Sequence, residues 1–290
     1  MFKALLSTLQ KWQSKRQQAE ILRISRRRNI SDALWQCAFE LPFIAALLPS
    51  DLARLRILAS LFLDSKEFSG AQGMQVTDAH AVMVAIQACL PILHIAPPDR
   101  PDLALEWYDG FVGIVLHAGE VRARREWVDE DGIAHSGSEA LTGEIVEGGP
   151  LMLAWSDVQA AGETASQAYN VVIHEFIHVI DVRDGQADGC PPMPREQRRE
   201  WLTTLQAEYE RFCEATEAWQ RFGKSTGMEA PLLDPYGTES LEEFFAVAAE
   251  AYFVKRDAFS EKFPHLNSLF DKFFKPFEEP PALKMSHTFN

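Results

Sequence analysis

Apolar residues recur at helical spacing along most of this chain and at strand spacing in one stretch near its middle. Residues 3–28 set Leu5, Leu9, Trp12 and Leu22 among polar and basic positions, which predicts an amphipathic helix. Residues 31–47 and 51–63 continue as two more helices, with Ser31 and Ser50-Asp51 in N-cap positions. Leu61–Phe68 ends this region, and Gly70–Gly73 reads as a turn. Thr77-Asp78 caps a helix running to about Leu90. Beyond Pro91 the apolar runs shorten. Ile92–Ile95, Val112–Leu116, Glu120–Val128, Ile133–His135 and Leu151–Trp155 read as strands, with Asp129–Gly132 as a hairpin turn. Helical spacing then returns from about Thr164 to Asp184, stopped at Gly185. A loop follows over Gly185–Pro194. Arg195–Arg221 forms a polar helix with Trp201, Leu205 and Tyr209 on one side. Phe222–Pro235 is a loop, Thr238–Lys255 a helix, and Glu261–Phe277 a run of short helices. The order of helices, small sheet and helices predicts an α+β fold, mainly helical with a small mixed sheet. Residues 31–277 form its single domain, between a basic helical arm over 1–30 and a flexible tail over 278–290.

Composition narrows this picture. The 290 residues are 47% hydrophobic and 24% charged, the balance of a globular chain. The first apolar run is broken at Lys3 and closed by Gln10-Lys11, so it makes no secretory signal. The longest apolar stretch, Ala79–Ile95, carries His80, Gln87, Pro91 and His94; it is too short and too polar to span a bilayer. Cys37, Cys89, Cys190 and Cys213 form no C-x-x-C pair, which points to reduced thiols in a cytoplasm and away from a cysteine zinc site. The net charge is −14, yet residues 1–28 hold eight Lys and Arg against Glu20 alone. The acidic body argues against direct nucleic-acid binding. The basic arm reads either as a solvated helix face or as a contact for a membrane surface, nucleic acid or an acidic partner.

The chemistry centres on His174-Glu175-Phe176-Ile177-His178. On a helix, residues four apart share a face, so both imidazoles reach one metal ion while Glu175 stands beside it as a general base. A catalytic zinc takes three protein ligands and keeps one position open. Asp181 and Asp184 stand where an extended motif would need Gly and a third His, so the third ligand comes from elsewhere. The helix from Ser240 to Phe253 is apolar almost all round after Glu243, and a buried carboxylate must be paired or bind metal. Glu243 is therefore the expected third ligand, with Glu242 its competitor on a neighbouring stripe. Glu250, seven residues on with small Ala246 between, reads as an acceptor for the free N–H of a ligating imidazole, or as a core partner for an arginine. Asp181 supports either His178 or the helix end.

His174-Glu-Phe-Ile-His-Val-Ile-Asp181, followed by Tyr236-Gly and then Glu243-Phe-Phe-Ala246, resembles the catalytic half of the anthrax lethal factor type of gluzincin. Asn170–His178, Gly149–Trp155, Ala85–Leu93 and Phe68-Ser-Gly70 resemble the bacterial Mlc titration factor A family of zinc peptidases. This resemblance runs from about residue 30 to 277. It leaves the basic arm and the tail Lys284–Asn290 without counterparts. It implies a zincin-like fold and one Zn²⁺ per chain, held by His174, His178 and Glu243. It further implies Glu175 as catalytic base, Tyr236 as a transition-state donor, a cytoplasmic location and, in some members, binding to a glucose-regulated transcriptional repressor. Peptide or protein substrates follow, with aminopeptidase and endopeptidase action both open, and Leu151–Trp155 is a candidate edge strand for a peptide backbone. The competing reading is a regulatory protein that sequesters a repressor, with peptidase activity secondary.

Overall fold

Among the described residues proline opens four of the α-helices, because its missing N–H falls where a helix has no acceptor for it. The computed structural model describes residues 18–24, 26–28, 30–119, 124–128, 134–138 and 149–277. The segment expected as one helix over 31–47 is two, α1 (Asp32–Phe39) and α2 (Pro42–Ala45), since Pro42 ends the first and starts the second. Pro49 likewise takes the first position of α3 (Pro49–Ser65), so the N-cap is Leu48 and not Ser50-Asp51. β1 (Glu67–Gly70) follows. In α4 (Asp78–Cys89), His80 Nδ1 accepts the Thr77 N–H at 3.2 Å.

The expected strand at Ile92–Ile95 is a series of turns. Leu93 N–H reaches the Leu90 carbonyl at 3.2 Å, and Ile92 and Leu93 are buried, so the apolar run reflects core packing instead of sheet pairing. The short α5 (Pro101–Leu105) was not expected. β2 (Gly113–His117), β3 (Arg124–Val128), β4 (Ala134–Ser138) and β5 (Leu151–Ala154) complete the strands. The expected arm over most of its length, the start of the Glu120 strand, the Asp129–Gly132 turn and the tail from Glu278 lie outside the described residues.

Sheet order is β1-β2-β5, all parallel, with Phe68 opposite Ile114 and Leu116 opposite Leu153. Among the described residues the three-stranded sheet is parallel, and the antiparallel pairing lies in the β3–β4 ribbon. Parallel strands need long crossovers, which α4 and α5 supply between β1 and β2. Ile114, Leu116 and Leu153 face the core, while Met152 is 37% exposed on β5, an edge of this sheet.

Trp155 opens α6 (Trp155–Thr164) and does not close the strand. The helical segment expected over 164–184 is shorter. A 3₁₀ turn and Ala168, at φ 61°, interrupt the chain before α7 (Val171–Asp181). Asn170 caps α7, its Oδ1 accepting the Ile173 N–H at 2.9 Å. Next come α8 (Arg195–Thr226), a 3₁₀ turn over Pro235–Thr238, α9 (Leu241–Val254), α10 (Arg256–Lys262) and α11 (Pro264–Phe274).

Two aromatic groups fix the helices that matter. Phe176, on the inner face of α7, meets Tyr108 at 4.7 Å, Phe62 at 5.6 Å and Phe111 at 5.8 Å between ring centroids. Phe245 of α9 meets Trp201 of α8 at 5.4 Å and Phe270 of α11 at 5.7 Å. Among the described residues no helix is long and apolar enough to cross a membrane. All four cysteines are free thiols.

Candidate metal centre

α7 is apolar on nearly every side, yet His174 and His178 lie one turn apart on one face, both buried. Their Nε2 atoms are 3.1 Å apart. α9 packs against α7 and brings in Glu243, also buried, whose Oε2 lies 3.2 Å from His174 Nε2 and 3.3 Å from His178 Nε2. Ser240 fixes the start of α9, its Oγ accepting the Glu243 N–H at 3.3 Å. Among the described residues, His174, His178 and Glu243 are the group of His, Cys, Asp and Glu side chains able to hold a metal ion. Glu242 is half-buried and stands outside it.

The three atoms form an almost equilateral triangle. A tetrahedral zinc with bonds of about 2.0–2.1 Å has ligand-to-ligand edges of about 3.3–3.4 Å. The observed edges lie close to that, and Glu243 Oε2 is buried with no hydrogen-bond partner. Burial alone would raise the Glu243 carboxyl; positive charge on the histidine side of the triangle outweighs it and favours the carboxylate. Two imidazoles and a carboxylate suit zinc by donor type as well as by spacing.

The other nitrogen of His174 is occupied. Nδ1 lies 2.8 Å from Glu250 Oε1, and Glu250 Oε2 accepts the Asn170 N–H. With the proton on Nδ1, the Nε2 lone pair faces Glu243 and His178. Glu250 is fully buried and pairs with this histidine, not with an arginine. The chain of bonds continues: Asn170 Nδ2 donates to Gln87 Oε1 at 2.7 Å, and Gln87 Nε2 donates to the Met83 carbonyl at 2.9 Å. One asparagine thus caps the histidine helix, holds Glu250 and ties both to α4. Sequence reasoning missed Asn170 and Gln87. The available signal was the Asn before Val171, a helix-cap residue, and a glutamine inside an otherwise apolar helix.

Tyr236 sits on the 3₁₀ turn before α9, its ring 6.1 Å from that of His174. Burial and the neighbouring Glu243 push its phenol far above the usual value, so it stays a neutral donor at pH 7. Glu175, next to His174, is half-buried and close enough to Tyr236 to contribute to that shift. Asp181 Oδ2 accepts the Gly189 N–H at 2.9 Å, in the loop after α7. Burial pushes its carboxyl up to about 7.

A His-Glu-x-x-His helix and a glutamate from a second buried helix thus make a donor set that could hold a metal ion, its third member remote in sequence. The chain belongs to the family described as glucose-regulated metallo-peptidase M90, whose pattern matches residues 9–275. The match takes in most of the basic segment, which therefore has a counterpart in the family, against expectation. Mlc titration factor A of Serratia proteamaculans is 30% identical over 265 residues, 91% of each chain. The protein of that name from Klebsiella pneumoniae is 29% identical over 242 residues, covering 83% of this chain and 85% of its own. That of Escherichia coli is 28% identical over 254 residues, covering 87% and 88%.

Proposed function

We propose that this chain is a zinc-dependent peptidase. His174, His178 and Glu243 hold one Zn²⁺, and Glu175 is the general base. The observation that carries this reading is the buried triangle of donor atoms with edges of 3.1–3.3 Å. Zinc bound there would lower the pKa of a coordinated water to about 7 and polarise the scissile carbonyl. Glu175 takes the proton from the attacking water on a carboxylate oxygen and returns it to the leaving amine. The Tyr236 hydroxyl donates to the developing oxyanion, for which its neutral phenol is suited. Glu250 keeps the His174 proton on Nδ1. The outer edge of β5, which pairs with no further strand among the described residues, offers backbone groups for an extended peptide. The four free thiols fit a reducing compartment, the cytoplasm.

The test is turnover of a panel of short chromogenic peptides by the parent, the EDTA-stripped protein and Glu175→Gln. Activity in the parent, lost on stripping and restored by zinc, supports the reading; activity that survives stripping overturns it.

A second reading is favoured by the name the relatives carry, Mlc titration factor A. Here the chain binds a transcriptional repressor, and docking needs surface instead of turnover. Capture of the repressor by both parent and Glu175→Gln supports it; capture by neither counts against it.

A further inference from the structure

One residue of the loop between α7 and α8 touches both halves of the metal centre. Gly189 has φ 72°, a conformation that favours glycine. Its N–H donates to Asp181 Oδ2 at 2.9 Å, and Asp181 is the last residue of α7, three beyond His178. Its carbonyl accepts from Trp201 Nε1 at 2.7 Å, and Trp201 is buried in the core on α8. Both peptide groups of Gly189 are therefore held. Its Cα faces the start of α9. A Cβ at this position would lie 2.8 Å from the Leu241 carbonyl oxygen and 3.0 Å from Leu205 Cδ2. Leu241 is the first residue of α9, two before Glu243.

We propose that the Asp181–Gly189–Trp201 contacts act as a spacer that sets how closely the first turn of α9 approaches α7, and so how far Glu243 stands from the two imidazoles. Gly189 is a positioning residue for the metal centre. The inference rests on the zinc reading given above. A Cβ needs roughly half an ångström more room to reach ordinary contact with the Leu241 oxygen. Backbone is on the receiving side, so the turn bearing Glu243 moves with it. Metal–ligand distances in a well-formed site hold to within about 0.2 Å of their ordinary values, so a shift of that turn is large on the scale of the site.

Gly185 supplies the control. It lies in the same loop at φ 86°, but a Cβ there would meet nothing within 4 Å. Gly185→Ala carries similar backbone strain without the contact. The experiment is zinc affinity by chelator competition for the parent, Gly189→Ala and Gly185→Ala, with thermal melting of each metal-free protein. Gly189→Ala should bind zinc roughly tenfold or more weaker, and Gly185→Ala should bind as the parent does, even where both melt lower. Equal affinity in Gly189→Ala and parent overturns the inference, as does an equal loss in both variants. A parent that binds no zinc overturns the zinc reading and this inference with it. Should Gly189→Ala not fold, Trp201→Phe removes the partner of the Gly189 carbonyl together with the wider ring packed on Phe245 and Phe270, and Phe270→Leu, which disturbs that packing alone, is its control; a several-fold greater loss of zinc affinity in Trp201→Phe than in Phe270→Leu supports the spacer, and equal or unchanged affinity in the two overturns it.

Discussion

Replacing Glu250 by glutamine tests whether the hydrogen bonds behind His174 govern the metal centre. The side chain keeps its size, but one acceptor becomes a donor. In the folded protein both carboxylate oxygens accept: Oε1 faces His174 Nδ1 at 2.8 Å, and Oε2 takes the Asn170 N–H. Glutamine can satisfy one. If its carbonyl takes the His174 proton, its NH₂ faces the Asn170 N–H, and leaving that buried donor unpaired costs about 1–3 kcal/mol. If it turns over, Nδ1 must accept, and the imidazole proton moves to Nε2, the atom that faces Glu243 and His178. That tautomer cannot ligate. Loss of such an outer partner weakens metal binding by about 10–100-fold, or about 1.4–2.7 kcal/mol. The assay is zinc dissociation by chelator competition at pH 7, beside the melting temperature of the metal-free protein. A variant that binds zinc within about twofold of the parent, with an unchanged melting temperature, would refute the reasoning, since neither orientation would then carry its penalty.

Glu175→Gln should fold and keep its zinc but lose about 10²–10⁴ in peptide turnover, measured with chromogenic peptides; turnover at the parent rate removes Glu175 from the mechanism. Tyr236→Phe should lower kcat by about 10²–10³ with little change in KM or bound zinc; an unchanged kcat leaves Tyr236 a structural residue, and a fall that tracks zinc loss makes it a shaper of the metal site. Lys66 is buried and donates to the Tyr108 and Phe111 carbonyls, whose rings pack on Phe176 of α7. Lys66→Met should destabilise by about 1–3 kcal/mol for each carbonyl left unpaired, read as a lower urea midpoint at pH 7; an unchanged midpoint contradicts this. Burial holds the Lys66 ammonium at about 8, below its ordinary 10.5. The folded chain releases this proton first, so the group adds stability as pH rises from about 8 to 10.5, a gain that Lys66→Met should lack.

The centre was legible where local spacing carries it. His174 and His178 share a face because they are four apart on a helix, and Glu243 and Glu250 stand out as carboxylates on a helix otherwise buried. The contact of Asp181 with the loop was not legible: which backbone group a residue at a helix end meets depends on where Gly189 lies, a tertiary fact. Gln87 and Asn170 meet across 83 positions of sequence, and no local period encodes that contact. In the fold, proline decided a boundary that apolar periodicity ran across, at Pro42, and set the start of α3 at Pro49. Ile92–Ile95 misled because a short buried run has the same composition in a strand or a turn. β1 was missed because Glu67–Gly70 is short, polar and mostly exposed, and pairs only through its parallel neighbour.

The central claim is that one zinc is held by two histidines of α7 and one glutamate of α9. Metal content per chain, measured by elemental analysis on purified parent, Glu243→Ala and Glu242→Ala after zinc loading and desalting, tests it most directly. One zinc in the parent and in Glu242→Ala, with loss in Glu243→Ala, is the expected result. Full occupancy in Glu243→Ala, or a parent that retains no zinc, would contradict it.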